Sequence, residues 1–336
     1  MLATAQNGEL TANGGSSAEF QALVSGCGIY DLSSRAKIKL TGNDRVRWLN
    51  GMVTNNVRDL AVGHGVYAFL LNPQGRILGD LYAYNRGNSL YLDTDQNQIT
   101  KILEIFDHYI IMDDVAVENI SQHLTAIGIS GPKSLDVLRA SGFGPSNLQP
   151  LTFRDLEWTA IPVTLTQCER EKHESYEIWL APKQASQVRD ALIQSGATPA
   201  GDGAVELYRV ALGLPRYGQD IRERDLPQET EQARALNFSK GCYVGQEIVE
   251  RIRSRGAVHR TFTGFIFDGN VAAGSKIQVD GKDVGEITTV ASLPHDCTLN
   301  VGLGYIRREA AIPGKEVVAG EIKAAVAELP FKIVFG

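Results

Sequence analysis

Polar and apolar residues alternate over positions 37–41, Lys-Ile-Lys-Leu-Thr, which is the period-two pattern of a half-buried strand. Gly42-Asn43-Asp44 then supplies a helix start ahead of Val46 and Leu49, and positions 50–57 end that helix. An apolar strand over 66–71, the turn Asn72-Pro73-Gln74-Gly75 and a strand over 76–84 predict a β-hairpin that carries Asp80 on its second arm. Positions 88–93 read as a third strand. Positions 99–109, apolar at Ile102, Leu103, Ile105 and Phe106, predict an amphipathic helix, and 115–119 another strand.

The same sequence of elements recurs downstream. Strands are predicted at 124–130, 156–165 and 176–181, a helix opened by Pro132 over 132–139, and a helix over 182–195 closed by Gly196. The fold class is therefore α+β, in two similar portions. A helix over 204–212 leads through the loop 213–220 and the segment 226–236 into positions 237–247. Beyond Arg255-Gly256 the pattern changes to short strands punctuated by glycine, at 262–267, 276–279, 283–291, 299–306 and 322–326, which predicts a small antiparallel C-terminal barrel. The implied units are a disordered leader over 1–20, α+β portions over 21–120 and 121–256, and a barrel domain over 257–336.

The chain has 336 residues, 43% hydrophobic and 21% charged, ample for several cores. Its net charge of −6 argues against general nucleic-acid coating. No run approaches the ~18 apolar residues of a membrane helix, and positions 1–17 lack the character of a signal or transit peptide. Cys27, Cys168, Cys242 and Cys297 form no CxxC pair, and the six histidines show no metal-ligand spacing, so no metal site is expected. A reducing compartment fits: the cytoplasm, or the mitochondrial matrix in a eukaryote.

Positions 237–247, Asn-Phe-Ser-Lys-Gly-Cys-Tyr-Val-Gly-Gln-Glu, gather a cation, a thiol, an amide and a carboxylate between glycines that permit sharp turns. The run from Gln246 to Glu250 can open a helix, and a helix start favours anions and thiolates. Cys242 is thus a candidate nucleophile, transient cluster contact or redox-sensitive thiol, the alternative being a buried, inert cysteine. One thiol cannot hold an iron-sulfur cluster by itself. Lys240 is a candidate partner for that thiol or for an anionic ligand tail, and Gln246 and Glu247 for holding the loop. Arg251, Arg253, Arg255 and Arg260 with His259 form the one basic cluster, open to a polyglutamate tail, an acidic partner surface or RNA phosphates, or else a solvated face. Without interleaved aromatics, direct nucleic-acid binding is disfavoured.

The run Lys240 to Glu247, with Gly213-Leu214-Pro215 upstream and Arg255-Gly256 downstream, resembles the signature of the YgfZ/IBA57 family of folate-binding proteins, relatives of the glycine cleavage T-protein, an aminomethyltransferase. Asp31-Leu32-Ser33, Asn72-Pro73-Gln74-Gly75-Arg76 and the run Asp80 to Tyr84 are similar to the superfamily's N-terminal pattern. The resemblance implies a three-domain ring with a central folate channel, tetrahydrofolate or a one-carbon derivative as cofactor, and iron-sulfur enzymes or assembly factors as partners, including enzymes that modify tRNA. It implies Cys242 and Asp80 as the catalytic positions. Folate contacts are then expected from Lys240, Tyr84, Tyr217 and Arg253, with Asp220 lining the same channel.

Two departures separate the chain from the transferases it resembles. They carry an acidic pair where this chain has Gly79-Asp80, and Arg-x-Glu-Ala-Gly where it has Arg209-Val210-Ala211-Leu212-Gly213. The glutamate implied to read the pterin is absent, with Glu206 one helical turn away as a candidate substitute. An accessory role in iron-sulfur cluster assembly or repair is therefore expected ahead of the alternative, a folate-dependent aminomethyltransferase or other one-carbon transferase.

Overall fold

In chain order the elements are α1 (Gly14–Ser25), β1 (Gly28–Asp31), β2 (Arg35–Thr41), α2 (Arg45–Met52), β3 (Gly65–Leu71), β4 (Ile77–Asn85), β5 (Leu90–Asp95), α3 (Ile99–Tyr109), β6 (Ala116–Asn119) and β7 (Thr125–Ser130). There follow α4 (Ser134–Ala140), β8 (Phe153–Trp158), β9 (Ile161–Gln167), β10 (Ser175–Leu180), α5 (Ala185–Gln194), β11 (Thr198–Pro199), α6 (Asp202–Ala211) and α7 (Gln246–Arg255). The last are β12 (Arg260–Phe267), β13 (Lys276–Val279), β14 (Lys282–Leu293), β15 (Leu299–Arg307), β16 (Glu316–Ala319), β17 (Ile322–Ala327) and α8 (Lys332–Phe335). This computed structural model describes residues 14–144, 148–169, 174–256, 258–294 and 298–335.

The first body is an antiparallel sheet in the order β3-β4-β5-β2-β6. One face buries Ile38, Leu40, Leu81, Ala83 and Leu92 against Trp48 and Leu49 of α2 and Ile102 and Phe106 of α3. The second body repeats the plan with the order β11-β1-β7-β10-β9-β8, its core filled by Ile129, Leu165 and Ile178 against Leu138 of α4 and Val188 and Leu192 of α5. The faces without helices meet at a seam of Tyr84, Ala126 and Trp179. Beside it Lys37 and Asp93, both buried, pair at 2.6 Å, with the ammonium 4.8 Å from the Trp179 ring centre. The third body is a closed antiparallel barrel, β12-β15-β14-β13-β16-β17.

Three expectations are corrected. Positions 14–20 are not leader: they open α1, whose Phe20 and Leu23 are fully buried with Ala204, Leu207 and Tyr208 of α6. The Gly- and Ser-rich start and the weak helical periodicity of this segment gave no signal of it; positions 1–13 lie outside the described residues. Second, β1 joins the second sheet, parallel to β11 and antiparallel to β7, so the first body is an insertion within the second rather than a unit beginning at position 21. Third, positions 156–165 are not one strand but parts of the hairpin β8-β9, turned at Thr159 (φ 44°) and Ala160 (φ 64°). Such a turn ordinarily advertises itself with Asn or Gly, and here neither is present.

The barrel is tied to α6 and to the loop after it by a fully buried carboxylate, Asp220. Its Oδ2 accepts from Arg209 Nη1 of α6 (2.8 Å) and the Arg216 amide (3.0 Å), and its Oδ1 from the Thr288 and Thr289 hydroxyls of β14 (2.5 and 2.6 Å). A register shift in the β14–β15 ladder between Ile287 and Thr289 is what lets two successive hydroxyls reach the same oxygen. Glu206 completes the cluster by pairing with Arg209 and Arg216, both at 2.7 Å.

Removing one member of a buried ion pair is far more costly than removing one of two neutral donors. Asp220→Ala is expected to lower stability by about 3–5 kcal/mol, and Thr288→Val by about 1 kcal/mol, in urea unfolding followed by circular dichroism. Equal losses in the two variants would show that the bulge does not deliver both hydroxyls to Asp220.

Candidate functional site

Strand alternation on β4 sends Leu81 and Ala83 into the first core and Asp80, Tyr82 and Tyr84 to the opposite face. Across the hairpin Tyr67 lies opposite Tyr82, and Phe69 opposite Asp80. Asp80 is held from both sides: the Tyr67 hydroxyl donates to Oδ2 at 2.6 Å and Gln98 Nε2 donates to Oδ1 at 2.7 Å. Gln98 also accepts from the Asp80 amide at 3.0 Å, which fixes the amide's orientation. Burial raises the Asp80 pKa above the ordinary carboxylate value, although the bonds from Tyr67 and Gln98 pull it down. Each oxygen keeps a second acceptor lone pair, so the clamp does not exhaust the carboxylate.

Tyr67 connects Asp80 to a cleft of about 690 Å3 bounded by residues 212–214 after α6, residues 231–234 and Thr261–Thr263 of β12. From the wall of that cleft the Arg234 guanidinium stacks 4.4 Å from the Tyr67 ring centre, donates to the Tyr82 hydroxyl at 3.3 Å and pairs with Glu169 at 2.8 Å. Carboxylate, tyrosines, arginine and glutamate thus stand in one connected chain.

The other expected residues divide. Tyr217 joins the cluster at its edge: it packs with Tyr67 and Phe69, its hydroxyl donates to the Leu78 carbonyl at 2.6 Å, and Lys101 donates to that hydroxyl at 3.0 Å. Tyr84 is buried, lying on Gly65 and edge-on to Phe153 and Trp179, so it serves the seam between the sheets rather than the cleft. Glu206 is occupied by Arg209 and Arg216, which removes it as a substitute pterin reader. Arg253 projects from α7 over Phe238 (4.5 Å) and beside Glu250 (3.6 Å), half exposed and outside the cleft.

Lys240 corrects the expectation of a ligand-facing cation. Its ammonium turns inward and donates to the carbonyls of Asn50, Val53 and Asn55 at 2.6, 2.5 and 2.7 Å. Burial and the nearby Arg58 guanidinium pull its pKa down to about 7. Against them, three carbonyl acceptors call for three N–H protons, which only the ammonium carries. Lys240 is spent on joining the motif to the end of α2. Two residues on, Cys242 is exposed, and Gly245 (φ 82°) turns the chain into α7 so close to the Asn72 carbonyl that a Cβ would lie 2.5 Å from it. Among the described residues no three His, Cys, Asp or Glu side chains group to hold a metal, and no helix is long and apolar enough to cross a membrane.

The GCVT N-terminal domain profile matches residues 7–240. The chain belongs to this family. It is similar to the chloroplastic Arabidopsis thaliana protein At1g60990, which carries a transferase name, at 27% identity over 92% of this chain and 72% of that one. The aminomethyltransferase of Halothermothrix orenii is 27% identical over 93% of this chain and 90% of its own length. The crystal structure of glycine cleavage system aminomethyltransferase T from Bartonella henselae superposes with a TM-score of 0.83 at 20% identity, covering 94% of this chain and 89% of that one. The fold of the GCVT family chain is thus the T-protein type, two α+β bodies and a six-stranded barrel.

Tyr67, Gln98, Arg234 and Glu169 are the site residues that sequence reasoning missed. Only Tyr67 left a trace, since counting back across the turn at 72–75 pairs it with Tyr82.

A carboxyl whose folded pKa is raised weakens the fold as pH climbs through the interval between its unfolded and folded values. Asp80→Asn is therefore expected to match the parent near about pH 3 and to exceed it in urea midpoint near about pH 7; lower stability at neutral pH would show that the charge is net stabilising. Thiol accessibility gives a second check. Burial raises Cys27 to about 11, a hydrogen bond with Ser134 opposing it. Iodoacetamide followed by peptide mapping should label Cys242 in the native protein and Cys27 only after unfolding, and native labelling of Cys27 would contradict the packing.

Proposed function

We propose that the chain binds tetrahydrofolate or a one-carbon derivative between the Arg234 cleft and Asp80, and acts as an accessory protein in iron-sulfur cluster assembly or repair. The observation that carries the folate assignment is the Asp80–Tyr67–Arg234 chain: a partly buried carboxylate and two tyrosines joined to a cation that lines a cleft of about 690 Å3. That volume falls within the roughly 300–1,000 Å3 of small-molecule sites. A pterin presents a planar face and an amide-and-amine edge, and the folate tail is anionic. The donor set suits each in turn: Tyr82 the ring, Asp80 and Glu169 the amines, and Arg234 or Arg308, which also lines the cleft, the tail.

When bound, the folate supplies ring nitrogens that carry one-carbon units. The chain's part is to hold them. Gln98 and Tyr67 orient Asp80, whose raised pKa suits a carboxyl that shares a proton with a ring nitrogen. Arg234, pinned by Glu169, closes one side against water.

The accessory role is favoured over aminomethyl transfer by Ala211, buried where the resemblance implies a pterin-reading glutamate, with Glu206 already occupied. The exposed Cys242 is free to meet a protein partner, a thiol that aminomethyl transfer does not need. The second reading, a one-carbon transferase, is supported by Asp80 and by the transferase names of the relatives.

Calorimetric titration with tetrahydrofolate and 5-formyltetrahydrofolate tests the proposal. Saturable binding is expected, weakened at least about tenfold by Asp80→Asn and by Arg234→Leu; no binding, or binding indifferent to both substitutions, would refute the assigned site. An aminomethyl-transfer assay on the bound protein separates the two roles: turnover would favour the transferase, and its absence, with loss of complementation by Cys242→Ala, the accessory.

A further inference from the structure

We infer that the groove between α7 and the entrance to the barrel docks an acidic, aliphatic peptide segment of a partner protein. It encloses about 560 Å3 and shares no lining residue with the Arg234 cleft. Leu226, Ile248, Ile252 and Val258 form its floor, Ile248 and Ile252 standing one turn apart on α7. Arg76, Arg251 and His259 stand among them.

Charge accounting distinguishes this groove from the rest of the surface. Neighbouring arginines each have a carboxylate partner: Arg222 and Arg224 share Glu286, Arg253 has Glu250, and Arg260 has Asp225 and Glu229. Among the described residues Arg251 and His259 are exposed and have no carboxylate partner, and Arg76 donates to a backbone carbonyl, that of Arg224. The groove's single carboxylate, Glu229, is buried and already accepts from Arg260 at 3.0 and 3.1 Å and from the Leu226 amide at 3.0 Å. On a chain of net charge −6 this leaves a local positive rim around an apolar floor.

The floor decides between anionic partners. Single-stranded nucleic acid is held by stacking bases on aromatic rings along a cationic track, and the groove's lining holds no Phe, Tyr or Trp, its apolar part being Leu226, Ile248, Ile252, Val258 and Pro73. Aliphatic side chains flanked by Glu or Asp satisfy both floor and rim. The walls are preset, because the turn at Gly75 (φ 72°) is seated on Ile248, with only 2.8 Å between that side chain and a Cβ at the glycine, so little ordering cost attends docking.

The test is fluorescence anisotropy of the full chain with a labelled peptide of roughly 12 residues, about three helical turns, repeating Leu-Glu-Glu-Leu, beside a labelled single-stranded RNA of equal charge. Saturable peptide binding is expected, weakened at least about tenfold by Arg251→Glu and by Ile252→Asp. Lys282→Glu, a charge reversal at an exposed barrel position outside the groove, should change it by less than about twofold. Circular dichroism and urea midpoints guard against misfolding, and Arg251→Glu, at an exposed position, carries the test if Ile252→Asp unfolds. No saturation by about 1 mM peptide, a millimolar contact being the weakest that counts as specific docking, overturns the inference. So does equal weakening by Lys282→Glu, which would mean charge alone, or tighter binding of the RNA.

Discussion

A single buried charge sets the relation of the barrel to α6 and the loop that follows it. Asp220 has no exposure to water, and a carboxylate so placed is tolerable only where hydrogen bonds replace its hydration. Four donors do so, and they come from α6, from the loop after it and from β14. Moving the barrel away from α6 would strip donors from the charge, so the ion is a geometric constraint as much as an attraction. The walls of the Arg234 cleft come from the same pieces, residues 212–214 and β12, and inherit the constraint.

Lys240 and Cys242 show how one short motif can serve two ends. The backbone turns so that the cation faces inward to three carbonyls and the thiol outward to solvent. The inward half fastens the loop before α7 to the end of α2. The outward half is thereby presented on a fixed base rather than on a mobile tip, which is what a thiol needs if it is to meet another protein in one orientation.

Much of this was legible in the sequence. The turn at 72–75 between two strand patterns placed Asp80 on the second arm of a hairpin, helical spacing located α3, and glycine-punctuated strands announced the barrel. The family signature supplied the rest of the architecture. Local pattern could not tell that Lys240 faces inward, because its acceptors are carbonyls of residues 50–55, invisible to any residue-type signal. Arg234 and Glu169 were missed for a related reason: they meet only when the two sheets are already together. The turn at Thr159-Ala160 carries no residue that favours positive φ, and β16 is four residues long with an exposed residue at alternate positions.

The insertion of the first body within the second has a consequence for the order in which the chain can acquire structure. β1 is an interior strand of the second sheet, and its neighbour β11 lies far downstream. The Glu19 carboxylate of α1 accepts from the Gly201 amide, 182 positions away. The first sheet, whose strands all fall between Arg35 and Asn119, can close early on local pairings, whereas α1 must wait, Phe20 and Leu23 uncovered, until α6 exists, and β1 keeps one edge unpaired until β11 does. Closure of so long a loop is the slow kind of contact, and during that interval the chain presents an apolar helix and an unpaired strand edge that a chaperone could recognise.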